Sequence, residues 1–334
     1  MQASQKISRP LVIVIALGTL AVLLFNLLPL SVFISLGQRL PVFATVFLGI
    51  FIEAVPYLLL GTLASGLVEV FLDRKWMTRF MPRGNLTSAL AGAVLGLAFP
   101  VCECGVIPLT RRLFQKGLPI PAGVAFLLAA PVFNPIVIFS TASAFGWGEM
   151  LGWRLAVTLG IAVVTGLVFS VEKDAGNILK PLMPVVHVHL HEEESVQSFA
   201  EKIRRAFLVS VDEFFEMGRY LVIGAMLAAG MQTFIPQGTL LAIGNGPLLS
   251  VLVMLALAFI LSICSTVDAF VALGFVGSFS FGAVLSFLTF GPMVDIKSLL
   301  MYRQVFRNRA VGYLVLLPLL MSLLAGLTFN YLFP

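Results

Sequence analysis

Charged residues are scarce in this sequence: they make up 11% of its 334 residues, against 59% hydrophobic residues. A soluble protein of this length needs far more polar surface, and a mean hydropathy of +1.04 leaves the integral membrane class. Cysteine is scarcer still. The three thiols, Cys102, Cys104 and Cys264, cannot all pair, and Cys102 and Cys104 stand too close for an unstrained bridge, which excludes a disulfide framework. No Gly-x-x-x-x-Gly-Lys-Ser/Thr run occurs, so ATP is not hydrolysed by this chain, and no cofactor signature is identified. The pI of about 9.3 is not a nucleic-acid footprint, because Lys and Arg in so apolar a chain mark cytoplasmic loops.

What is present is a series of apolar stretches, each long enough to cross a bilayer: 11–30, 41–71, 119–146, 150–171, 207–235, 280–301 and 311–332. Two more, 86–109 and 247–278, are interrupted by polar or glycine-rich residues. Residues 11–30 follow Lys6 and Arg9 but lack a small-residue cleavage site, and read as a retained first helix. The connection 172–198 is the one sizeable polar stretch. Ser198 followed by Glu201 is a capping-box pattern and predicts an interfacial helix leading into the next span.

The chain repeats itself. Glu53, Tyr57 and Gly61 match Glu216, Tyr220 and Gly224 at an offset of 163; Cys102 matches Cys264 at 162; Pro131 and Asn134 match Pro292 and Asp295 at 161. Charge then distinguishes two ways of crossing. With 86–109 and 247–278 as re-entrant hairpins and a cytoplasmic N-terminus, seventeen Lys and Arg face inside and only Arg39 and Arg154 outside, with Arg219 and Lys297 in the membrane zone. With both segments crossing fully, the count is ten inside and nine outside. The hairpin arrangement gives each copy three full spans, an odd number, so the copies are inverted. The expected fold is an all-α integral membrane protein of about seven full transmembrane helices plus two re-entrant hairpins in two inverted repeats. Its parts are an N-terminal transmembrane helix in 1–36, a first membrane repeat in 37–171, a cytoplasmic His/Glu loop with the interfacial helix in 172–206, and a second repeat in 207–334.

Chemistry concentrates at the hairpin tips, where polar groups are costly unless they line a path. The first tip, Pro100 to Gly105, holds Cys102, Glu103 and Cys104; Gly105 is expected to take the turn and Pro108 to open the returning half-helix. The second is Cys264-Ser265-Thr266-Val267-Asp268. Asn134, between Pro131 and Pro135, and Asp295, after Gly291-Pro292, lie on helices weakened by proline. Cys102, Glu103, Cys104, Cys264, Asn134, Asp268 and Asp295 are therefore the candidate substrate-binding residues, with Glu53 and Glu216 as coupling groups. Gly61 and Gly224 read as close-packing positions. His187, His189 and His191 could share a transition metal in an extended segment; the plainer reading is a solvated linker.

The run Phe99-Pro100-Val101-Cys102-Glu103-Cys104-Gly105-Val106-Ile107-Pro108-Leu109-Thr110-Arg111-Arg112 resembles the ArsP/YraQ-type predicted permeases. So do Leu128-Ala129-Ala130-Pro131-Val132-Phe133-Asn134-Pro135 and Cys264-Ser265-Thr266-Val267-Asp268-Ala269-Phe270, and the resemblance covers roughly 40–330. It implies a permease of organoarsenical-efflux or two-component type, located in the cell membrane. It also implies that Cys102, Cys104 and Cys264 bind a thiol-seeking metal or metalloid. Glu103 and the Thr110-Arg111-Arg112 run resemble the two-component subunits more, which implies a second membrane subunit beside the lipid bilayer; a homo-oligomer is equally compatible. The expectation is a transporter, not an enzyme, working by alternating access at a midplane site. The alternative is a membrane thiol oxidoreductase using Cys102 and Cys104. Single cysteines placed near Lys116 and near Gly277 in a cysteine-free background test the topology: impermeant thiol reagents are expected to reach the first from the cytoplasm and the second from outside, and the opposite labelling rejects inversion.

Overall fold

The computed structural model describes residues 30–73, 77, 81, 82, 84–99, 101–172, 175–180, 199–234 and 246–332. The expected first helix (all but Leu30), Pro100, the histidine run and Ser198 lie outside the described residues. Among the described residues, 30–45 are helical and belong to one unit, and those from Val46 onward to a second.

The helix order runs twice through a similar series of elements. A long helix, α1 (Leu30–Phe71), is followed by an interrupted pair, α2 (Asn85–Val94) and α3 (Glu103–Gln115). A second interrupted pair, α4 (Ile120–Phe133) and α5 (Pro135–Phe145), leads to long α6 (Glu149–Phe169). The order recurs with long α7 (Phe199–Phe234), interrupted α8 (Pro247–Leu261) and α9 (Asp268–Leu273), interrupted α10 (Phe281–Phe290) and α11 (Ile296–Val305), and long α12 (Asn308–Leu332). Packing follows the same correspondence. α2 packs on α4 as α8 does on α10, α4 on α6 as α10 on α12, and α3 on α11 as α9 on α5.

Four helices among the described residues are long and apolar enough to span a membrane: Arg39–Phe71, Glu149–Phe169, Phe199–Phe234 and Asn308–Leu332. α4 and α5 make a fifth if taken together across their 43° bend. The chain is therefore a multi-pass membrane protein. The expected full span 280–301 is instead two helices separated by Gly291–Asp295. Pro292 cannot donate a ladder hydrogen bond, and Asp295 starts a new helix by accepting from Ser298 N (2.6 Å) while Ser298 Oγ accepts from Asp295 N (2.9 Å). Asn134 does the same for α5, its side chain accepting from Ile136 N at 3.0 Å with Pro135 at the first helical position. The helix expected to start near Ser198 continues into the following span: α7 runs unbroken for 36 residues. At 1.5 Å per residue that is about 54 Å, longer than the hydrocarbon core.

α2 and α3 both pack on α4. Gly92 lies against Ala122 and Gly96 against Ala130, so α2 runs alongside α4 in the same direction. A short turn at Lys116–Pro119 joins α3 to α4, with Phe114 packed on Gly123. The corresponding helices α6 and α12 lie antiparallel, with Trp153 against Phe329 (4.8 Å between centroids) and Phe169 against Tyr313 (6.2 Å). Asn330 Nδ2 donates to Pro247 O at 2.8 Å, which places the start of α8 at the Trp153 end of this pair. The start of α2 lies at the other end, since Gly166 packs on Pro121.

Small residues set the closest approaches. Gly61 packs directly on the backbone of Gly105, and Gly224 on Lys297, where an added Cβ would stand 2.9 Å from the Lys297 Cα. Backbone cannot swing aside as a side-chain end can. Gly61→Ala and Gly224→Ala are each expected to destabilise the protein by about 1–3 kcal/mol through overpacking, read as a lowered thermal midpoint in detergent, whereas Gly218→Ala, whose added Cβ meets nothing within 4 Å, leaves it unchanged.

Candidate functional site

The two interruptions carrying the cysteines meet. Cys102 caps α3 with extended backbone (φ −84°, ψ 179°), so Glu103 and Cys104 form its first turn. Gly105 is helical rather than the turn, serving the approach of Gly61, and Pro108 lies inside α3 rather than at its start. On the opposing side α8 ends at Ser262, whose φ of 49° is the only positive value for a non-glycine among the described residues. A left-handed serine costs about 1–2 kcal/mol and here aims its Oγ at Asp295 Oδ2, 2.5 Å away. Ser265 Oγ donates to Glu103 Oε2 at 3.4 Å. Those two residues are 162 positions apart, the repeat offset of the cysteines, so matching positions of the two copies touch each other.

Between the tips stands a cation that the sequence placed in the membrane zone but not in the site. Lys297 Nζ lies 3.7 Å from Glu103 Oε1 and 3.5 Å from Asp295 Oδ2, and all three side chains are at most 2% exposed. Its charge also acts on Cys104 and Cys264. Cys102 and Cys104 are hydrogen-bonding neighbours, and Thr266 Oγ1 donates to Cys264 Sγ at 3.5 Å. All three cysteines are buried and free. Tyr57 stands beside Thr266, within reach of Cys102, Cys264 and Glu53. Glu53 contributes a buried Oε1, and Asn134 a buried Nδ2, that have no hydrogen-bond partner among the described residues.

No group of three or more His, Cys, Asp or Glu side chains among the described residues is placed to hold a metal ion. The cysteines thus do not form the three-thiol ligand set expected of them in this conformation, because Lys297 sits among them and the acids. His187, His189 and His191 are outside the described residues. A surface cavity lined by Phe169, Glu172, Arg307 and Tyr313 contains no tip residue.

Two ionic clusters flank the centre. Arg154 is fully buried and binds Asp268 through two hydrogen bonds (3.1 and 2.6 Å) and Thr141 at 2.7 Å. It draws together α6, α9 and α5. Asp268 therefore lies in this pair rather than with the thiols. The second cluster gathers Arg111, Arg112 and Lys116 of α3 with Glu69, Glu213 and Glu216. Arg111 reaches Glu216 at 3.3 Å, Arg112 pairs with Glu213 and with Glu69 (3.6 Å), and Lys116 pairs with Glu69 (3.6 Å). Glu216 also accepts from Gln304 at 3.0 Å, so this coupling candidate is engaged away from the tips while its counterpart Glu53 faces them. Arg111 lies eight residues beyond Glu103, about 12 Å along the helix. The two clusters lie towards opposite ends of the α4–α5 span: Lys116 adjoins the start of α4, and Thr141 is in the last half of α5.

Long apolar helices, buried charge and interrupted helices meeting at a polar centre are features of membrane transporters. The comparisons give the family. The ArsP_1 family of proteins described as "Predicted permease" matches residues 40–331, and the chain belongs to it. It is 44% identical over 284 residues to UPF0718 protein YcgR of Bacillus subtilis, covering 84% of this chain and 94% of the relative. It is 38% identical over 290 residues, 86% of this chain and 92% of the other, to a Streptococcus mutans protein named as a two-component membrane permease complex subunit. UPF0718 protein YraQ of Escherichia coli matches at 23% over 114 residues, 34% of this chain and 32% of that one. No solved structure matches the chain.

Removing one partner of a buried ion pair strands the other. Arg154→Met is expected to cost about 3–5 kcal/mol of stability, and Arg154→Met combined with Asp268→Leu to recover most of it; thermal unfolding of the three proteins in detergent checks this.

Proposed function

We propose that this permease moves a small solute, a thiol-seeking metal or metalloid or another small ion, by alternating access at a site between two re-entrant hairpins. The observation that carries the reading is the Ser265–Glu103 contact between matching tip residues, with Lys297, Asp295 and the three cysteines around it. Groups that touch their own counterparts lie near the axis relating the copies, where both hairpins have access. Entry of the hairpins from opposite faces is supported by the antiparallel α6 and α12 and by the starts of α2 and α8 at opposite ends of them. Cys102, Glu103, Cys104, Cys264, Asn134 and Asp295 contact the solute in this reading, and Glu53, with its unpartnered oxygen, is the nearer coupling group. Asp268 and Glu216 act instead within the two ionic clusters, which close the path on either side.

The protein acts as one subunit of a two-component complex in the cell membrane, a reading supported by the name of the Streptococcus mutans relative. The thiol oxidoreductase alternative draws only on the adjacency of Cys102 and Cys104, both buried. Uptake of arsenite and of zinc ion into proteoliposomes is the test, with and without the co-purifying partner. Flux of either is expected to fall by about tenfold or more when Cys102, Cys104 and Cys264 are all replaced by serine, since soft ligands are then lost. Undiminished flux rejects the thiol site, and thiol redox turnover without flux of any probe favours the oxidoreductase.

A further inference from the structure

Lys297 is in an unfavourable place for a cation. It is the second residue of α11, at the positive end of the helix dipole, and its ammonium lies in the interior of a membrane protein at 2% exposure. Its own helix repels the charge and lipid cannot solvate it. What holds it is the acid around it: Glu103 at 3.7 Å from one copy's tip and Asp295 at 3.5 Å beside the other copy's interruption. Glu53 adds a third carboxylate within electrostatic range. The centre thus carries more acid than base before any solute arrives. Gly224 fixes the lysine's stem, packing on its Cα, Cβ and Cγ, while the charged end rests on long ion pairs rather than on a short bidentate contact.

We propose that Lys297 is a tethered stand-in for the cargo: the site recognises a cation, and the ammonium withdraws from Glu103 and Asp295 when that cation binds and returns when it leaves. This rests on the permease reading above and sharpens it to a cationic solute. The excess of carboxylate selects for positive charge, and Cys104 and Cys264, on which Lys297 acts, favour a soft or borderline metal ion over a hard one. The lysine supplies what the empty carrier needs. Without a resident cation, Glu103 and Asp295 would have to pass through the occluded state either as unpaired buried charges or protonated, and both routes slow the return. The loaded carrier has no such need. A carrier without Lys297 can therefore exchange one cation for another but returns empty only slowly, after proton uptake.

Zinc ion is the probe, with the full chain and any co-purifying partner reconstituted in proteoliposomes. Wild-type protein is expected to show both net zinc uptake and zinc–zinc exchange. Lys297→Met is expected to keep exchange, to bind zinc about tenfold more tightly, and to lose net uptake by about tenfold or more. Lys297→Arg is expected to keep net uptake. Net uptake by Lys297→Met at the wild-type level, or weaker zinc binding by it, overturns the proposal. Wild-type flux of arsenite without binding or flux of zinc also overturns it, leaving the permease reading in place; no flux of any probe removes both. Should Lys297→Met fail to fold, wild-type protein still decides. Zinc is expected to raise labelling of Lys297 by an amine-reactive reagent several-fold, read by mass spectrometry, and unchanged or reduced labelling rejects the withdrawal.

Discussion

Interrupted helices inside a membrane create backbone groups that lipid cannot satisfy, and the architecture is organised around covering them. Among the described residues, interruptions fall at Asn134, at 262–267 and at 291–295, and another separates α2 from α3. Side chains at several of them satisfy the freed groups. Asn134 and Asp295 supply caps from their own side chains. Ser262 gives its hydroxyl to Asp295, and the Thr266 carbonyl accepts from Ser140 at 2.5 Å. The helices that carry the second interruptions, α4 and α10, are buried on almost every side, as interior helices are.

The same constraint explains where the charge goes. A buried ion needs a partner within a few ångströms, and the partners come from different parts of the chain: Arg154 with Asp268, Arg111 with Glu216, Lys297 with Glu103. Each pair bridges the two copies. The copies are thereby joined by a few specific ionic contacts on either side of the centre, which is the kind of interface that can rearrange between two discrete states. Close helix approach at Gly61 and Gly224 brings the tips near enough for these pairs to form.

Much of this was legible in the sequence. Scarce charge pointed to the membrane, the polar matches at offsets of 161 to 163 pointed to duplication, and the Cys102-Glu103-Cys104 run pointed to the site, with its family resemblance. Misreadings arose where a residue's role depends on its neighbours. Gly105 suggested a turn because glycine tolerates one, yet its lack of a side chain serves helix contact. Charge counting likewise has no term for the buried partner of Arg154, 114 residues away. The stretch 280–301 read as one span because its mean hydropathy stays high despite Asp295 and Lys297, and hydropathy does not register the stop that Pro292 and the Asp295 cap impose.

Composition determined by itself that the chain lives in a bilayer, because solubility is written residue by residue, and spacing singled out the polar matches and the thiols as residues to look for. Only the tertiary structure decided which groups share one region. It drew Lys297 in from a position that resembled nothing functional, left Glu53 facing the centre, and sent Glu216 to Arg111 instead. The reason is geometric: an ion pair between helices depends on the depth and rotation at which two distant segments pack, and these are set by the glycine contacts and helix interruptions acting together.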